Sequence, residues 1–213
     1  MSTEPAWIRD TLSAPRFAPY QARTGDLIEA IRLYWWNVDV SGAFYTSLHC
    51  LELALRNSLH SRLTIAYGRP DWWTVAPLSK HGLQKVGAAL DKLKFRPRQI
   101  TADDIVAELT FGFWVSLVSG AHARGLWEPF LHKAFPFFRG KRRDLHNDLH
   151  TVLLFRNRIM HHEPIHHRHL EADHATILRL LGYLSSDMVS QLTAYDRADA
   201  VLKQRPGRRP ALS

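Results

Sequence analysis

Between residues 44 and 59 the apolar side chains Phe44, Leu48, Leu51, Leu55 and Leu59 recur at spacings of three and four, the period of one helical face. This line predicts a long helix over 41–67, stopped by Gly68-Arg69-Pro70, with a shorter helix over 27–37 capped by Asp26. Further helices are expected over 79–95, ended by Pro97, and over 105–120, where Thr101-Ala102-Asp103-Asp104 has capping-box spacing. Others follow over 121–135, over 141–162 up to Pro164, and from 170 past Tyr195. Strands have no support, because no period-two run of β-branched residues and no Asn-Gly or Asp-Gly hairpin occurs. The expected fold is therefore all-α, a helical bundle over 23–200. Residues 1–22 carry Pro5, Pro15 and Pro19 and lack a sustained period, so an irregular N-terminal arm is expected there. The basic stretch 201–213 reads as a flexible tail.

Composition narrows the setting. Of 213 residues, 46% are apolar, including seven Trp and ten Phe, which suits a sizeable aromatic-rich core and argues against wholesale disorder. The single cysteine, Cys50, rules out an intramolecular disulfide framework and fits a reducing compartment. The longest largely apolar run, 111–121, is far short of the roughly 20 residues a bilayer needs. With no basic and then apolar leader at the N-terminus, a cytoplasmic protein without membrane attachment is expected. Twenty-eight Lys and Arg against twenty Asp and Glu leave a net charge of +8. That excess favours an acidic partner, nucleic acid or an acidic protein, and equally serves solubility.

The candidate chemistry lies on the 141–162 helix. On a wheel of about 100° per residue, Leu145, Leu149, Val152, Leu153 and Met160 form its packed stripe, and Arg156 falls inside that stripe. A guanidinium there either forms a buried ion pair or faces a cleft, since an unpaired buried charge is costly. A second face aligns Arg143, Asn147, His150, Leu154, Asn157 and His161, a basic surface suited either to solvent or to a phosphate backbone. Asn157 and His161 are four apart, so the amide is within reach of the imidazole. Arg, Asn and His together near a helix end can combine proton transfer with stabilisation of phosphate charge.

Other strings compete with this reading. His162-Glu163-Pro164-Ile165-His166 matches the H-E-x-x-H pattern of zinc peptidases, but Pro164 breaks the helix that this chemistry requires. The cluster His161, His162, His166, His167 and His169 offers adventitious metal ligands, yet no cysteine or spaced carboxylate completes a site, so no metal and no cofactor is expected. On the early helix, Tyr45, His49, Glu52, Arg56 and His60 share one face. Glu52 can position Arg156 or Arg158 if that face meets the later helix, or pair with Arg56 one turn away. Trp35, Trp36, Phe111, Phe113, Trp114 and Trp127 serve as core or as stacking surfaces for bases.

Arg156-Asn157-Arg158-Ile159-Met160-His161 resembles the R-x4-6-H motif of the HEPN superfamily, with a polar residue directly after the arginine. The longer string running to Ile165 resembles the motif region of Abi-like (abortive infection) proteins. Leu51-Glu52-Leu53-Ala54-Leu55-Arg56-Asn57 is similar to their early helix and Phe111-Gly112-Phe113-Trp114 to their middle helix, so the resemblance spans roughly residues 25–170. It implies a HEPN-like bundle that dimerises around a composite cleft, and a metal-independent endoribonuclease, a toxin or phage-defence enzyme. In that scheme Arg156 stabilises the transition state, His161 transfers protons and Asn157 orients them. His162 also satisfies the spacing, and Glu52 and Arg158 are supporting residues. Arg143, Asn147 and His150 would meet RNA. A protein or nucleotidyltransferase-type antitoxin is a further partner that the resemblance implies, and the alternative is a non-catalytic module that binds RNA, a nucleotide or the antitoxin.

Overall fold

The computed structural model describes residues 5–95 and 97–207. All regular structure among them is helical: α1 (Ala14–Thr24), α2 (Leu27–Tyr67), α3 (Lys80–Leu93), α4 (Ala102–Glu108), α5 (Phe111–Leu117), α6 (Arg142–Met160), α7 (Leu170–Leu184), α8 (Ser186–Leu192) and α9 (Ala198–Lys203), with short 3-10 and π turns between. At 41 residues, α2 is the axis of the bundle. Helices α1, α7, α8 and α9 pack along it, while α6 lies on α5 and α7, and α3 closes against α4 and α5. Leu51, Leu55, Leu59 and Leu63 of α2 are fully buried. Each such side chain contributes about 1.5–3 kcal/mol of transfer free energy.

The two helices expected over 27–37 and 41–67 are one. Ser41 Oγ donates back to the Asn37 carbonyl at 2.6 Å, Val40, Ala43 and Phe44 are buried on both sides of Gly42, and the packing carries the helix through the weak point. Asp26, Ser79 and Thr101 cap α2, α3 and α4 as their spacing requires, Thr101 with both bonds of a capping box. The helix expected over 105–120 breaks at Leu109, which is extended and gives its carbonyl to the Trp114 indole at 3.3 Å. The segment expected as a helix over 121–135 is a series of short 3-10 and π turns, with Pro129 in the break between Trp127 and Leu131. His122 pins it: its Nε2 accepts from the Ser79 amide at 3.2 Å, so its Nδ1 carries the proton and donates to the Ser116 carbonyl at 3.0 Å. The last long helix divides at Ser185, whose Oγ caps α8 by accepting from the Met188 amide.

Two boundary expectations are corrected. Residues 5–22 of the expected irregular arm are largely helical, a π turn over Ile8–Leu12 followed by α1 from Ala14. Pro15 sits in the first turn, where a missing N–H costs nothing, and Pro19 sacrifices one backbone bond, about 3 kcal/mol. Complete burial of Phe17 and near-complete burial of Tyr20 offset that cost. The start of the supposed tail is also ordered: Val201 and Leu202 are buried in α9, and Arg205 lies over the Trp36 ring at 5.3 Å. Residues 1–4, Arg96 and 208–213, including Arg208, Arg209 and Pro210 of the tail, lie outside the described residues.

Candidate active site

Helix α6 presents Leu145, Leu149, Val152, Phe155 and Ile159 to the core at spacings of four, three, three and four. Phe155 meets Phe44 of α2 edge-on at 4.9 Å, and Arg168 covers its other side at 5.2 Å. The buried stripe is thus centred on Phe155 and Ile159, while Leu153 and Met160, expected inside it, are half-buried. This rotation moves Arg156 to the border of the packed face, where its side chain is 30% exposed.

Arg156 Nε lies 3.4 Å from Glu52 Oε2 across the seam between α2 and α6. The angle does not make this a hydrogen bond, and Nε is buried with no hydrogen-bond partner among the described residues. Of the three partners open to Glu52, the structure selects Arg156, and Arg56 instead donates to its neighbour Asn57 at 3.1 Å. Arg158 is turned away to the following loop, donating to the Pro164 carbonyl at 3.0 Å and lying 3.3 Å from Glu163.

The end of α6 explains where the two adjacent histidines go. The Glu163 amide donates to the Arg158 carbonyl at 2.8 Å and the His162 amide to the Ile159 carbonyl at 3.0 Å, the paired bonds of a Schellman motif. His162 occupies the left-handed position, φ 57°, that glycine usually takes. His161 is the C-cap and is exposed, its amide bonded to the Asn157 carbonyl at 2.9 Å. No hydrogen bond joins the Asn157 amide side chain to the His161 imidazole among the described residues, so the expected orienting contact is not made within one chain. Arg143, Asn147 and His150 are exposed on the outer face of α6 that also carries His161, with His150 stacked on His146 at 6.1 Å. Arg156 therefore faces α2 while His161 faces outward, and His162 borders a cavity of about 630 Å³ on the Arg156 side of the helix.

Four side chains hold the histidine-rich loop, three of them, Arg16, Asn37 and Arg205, outside the motif. Arg16 of α1 donates to the His162 carbonyl at 2.7 Å, and Asn37 Oδ1 of α2 accepts from the Ile165 and His166 amides at 2.8 and 3.1 Å. The remaining anchors are Arg205, which donates to the His166 carbonyl at 2.7 Å, and Arg158. The loop backbone is thereby fixed from four elements. His166 is itself buried beneath Tyr20 at 4.9 Å, and burial, reinforced by His167, Arg205 and Arg23, pushes its pKa down to about 4. The two histidines of the H-E-x-x-H string thus lie in opposite settings, one exposed and one buried, with Glu163 beside Arg158. Among the described residues no group of three or more His, Cys, Asp or Glu side chains is arranged to hold a metal ion. No helix there is long and apolar enough to cross a membrane.

No family model, no curated protein and no solved structure matches the chain.

Proposed function

We propose that this protein is a metal-independent endoribonuclease of the HEPN type, a cytoplasmic toxin or phage-defence enzyme. The observation that carries the reading is Arg156: a half-buried guanidinium held by one carboxylate, with unspent donors, just over a turn before two histidines at the helix end. Such a group suits the charge that builds on a phosphate during transfer. In the proposed reaction a histidine, His161 in the first instance, takes the proton of a ribose 2′-OH. The 2′ oxygen then forms a bond to phosphorus, and the bond to the 5′ oxygen breaks as that oxygen gains a proton. The products are a 2′,3′-cyclic phosphate and a 5′-hydroxyl, and the requirement for a 2′-OH selects RNA over DNA. Arg156 stabilises the phosphorane-like charge, Glu52 positions Arg156, and Arg143, Asn147 and His150 offer an exposed face for the backbone. Because His161 and Arg156 diverge on α6, the reading requires His161 from a second copy to approach Arg156, or His162 to act in its place.

The test is purified protein incubated with RNA in EDTA, alongside Arg156→Ala and His161→Ala. Cyclic-phosphate ends formed by the wild type and lost in Arg156→Ala are the expected result. The same divergence of the two side chains favours a second reading, a module that binds RNA or an antitoxin without cleaving. It predicts salt-dependent binding that survives His161→Ala, with no product.

A further inference from the structure

The 630 Å³ cavity beside the α6 terminus has the size range of pockets that hold small ligands, roughly 300–1,000 Å³. Its walls come from α1, α2 and the end of α6, and are mostly apolar and aromatic: Tyr20, Tyr34, Tyr45, Val38, Ile159 and Met160. Tyr45 is 55% exposed and lies parallel to His49 at 5.9 Å, so it offers a free ring face at the mouth. Deeper in, Asn37 is only 5% exposed. Its Oδ1 is committed to the Ile165 and His166 amides, which fixes the orientation of the side-chain amide. Nδ2 is then the branch left over. It carries no hydrogen bond among the described residues and is not sealed from solvent, and Asn37 lines the cavity. An amide nitrogen with two donors open to the cavity can give hydrogen bonds to an acceptor placed there.

We infer that this cavity binds one unpaired base of single-stranded RNA, its ring between the tyrosines and a carbonyl or ring-nitrogen acceptor on Asn37 Nδ2. A planar, neutral, acceptor-bearing heteroaromatic ring satisfies every wall, since any base can stack on an aromatic face. The charged residues of the rim are engaged elsewhere, Glu163 beside Arg158 at 3.3 Å and Arg16 on the His162 carbonyl at 2.7 Å, which suits a neutral ring inside. The Arg156–Glu52 pair lies further along the same α2–α6 seam. Tyr45 and Glu52 are seven residues apart on α2, about 10 Å along the helix, a distance that a short run of unstacked nucleotides spans. A duplex cannot enter, because its bases are paired and stacked.

The inference deepens the RNA reading of the site and rests on it, but its test does not need cleavage. Gly42 lines the cavity, is helical, and has nothing within 4 Å of the position a Cβ would take. A Gly42→Phe substitution therefore fills the space from a position where the backbone tolerates it. Uridine, cytidine, adenosine and guanosine are titrated separately, at up to millimolar concentration, into wild type, Gly42→Phe, Asn37→Asp and Arg156→Ala, with binding read by calorimetry and folding by circular dichroism. Saturable binding of at least one nucleoside is expected in the wild type and in Arg156→Ala. Affinity should fall about tenfold or more in folded Gly42→Phe, the scale of a lost stacking contact. Asn37→Asp keeps the acceptor for the loop amides, replaces the donor with a carboxylate oxygen, and should weaken binding similarly. No saturable binding of any nucleoside by the wild type, or equal binding by wild type and folded Gly42→Phe, overturns the inference. RNA cleavage without nucleoside binding overturns this inference alone, whereas nucleoside binding without cleavage upholds it and counts against the nuclease reading.

Discussion

The Arg16 guanidinium of α1 donates to the carbonyl of His162 at 2.7 Å and approaches that of His161 at 3.5 Å, tying the N-terminal helix to the end of α6. Cations are favourable at a helix C-terminus, where unpaired carbonyls concentrate negative charge. Arg16→Ala should lower the unfolding free energy by about 1 kcal/mol, because the bond is exposed to solvent. Denaturant titration checks this. The larger expected effect is faster hydrogen exchange at the Ile165 and His166 amides as the loop loses one of its anchors. Unchanged exchange there would show that the other anchors suffice.

Asn37 holds the same loop from α2, and its loss is costlier. Asn37→Ala leaves the buried Ile165 and His166 amides without their acceptor, at about 1–3 kcal/mol each. A total loss of about 2–4 kcal/mol is expected by urea unfolding. Asn37→Asp, which retains the acceptor, should lose distinctly less.

His162 spends backbone energy in the left-handed region, about 1 kcal/mol for a residue with a Cβ. His162→Gly should raise stability by that amount, read as a higher denaturant midpoint at constant slope. The same variant decides which histidine acts: full cleavage assigns the proton transfer to His161, and loss of cleavage assigns it to His162.

His166 links stability to pH. Its folded pKa is about 4 against an ordinary 6.5, so above 6.5 it is neutral in both states and costs nothing. As pH falls from 6.5 toward 4 the unfolded chain takes up a proton that the folded chain refuses, and stability drops by roughly 3 kcal/mol in total. His60, His146 and His167 are also shifted down by burial and add to the same trend. His166→Phe preserves a flat ring beneath Tyr20 and removes the titration. The difference between wild type and variant should therefore be steepest within that window and flat above it.

What was legible in the sequence was local. Asp26, Ser79 and Thr101 announce helix starts because a cap and its target amide are three residues apart. The Glu52–Arg156 pair follows from two helical faces whose spacing is visible, once those faces are assumed to meet. Ser185-Ser186-Asp187 and Pro129 carried break signals that the apolar lines around them overrode. The anchors of the histidine-rich loop were beyond reach, because Arg16 and Asn37 bond to residues 146 and 128 positions away. No period or cap records such contacts; they exist only once α1 and α2 have packed. Pro19 misled for the same reason, since tertiary burial of Phe17 and Tyr20 outweighs its local cost.

In the proposed reaction Arg156 stabilises charge on a phosphate of RNA during its cleavage. The most direct measurement is the product ends formed from a single-stranded RNA in EDTA by wild type, Arg156→Ala and Arg156→Lys, with folding verified for each. The wild type should give 2′,3′-cyclic phosphate ends, Arg156→Ala should lose about a hundredfold or more, and Arg156→Lys, which keeps the charge without the fork, should be partly active. Cleavage by folded Arg156→Ala at the wild-type rate, or no cleavage by the wild type, would contradict it.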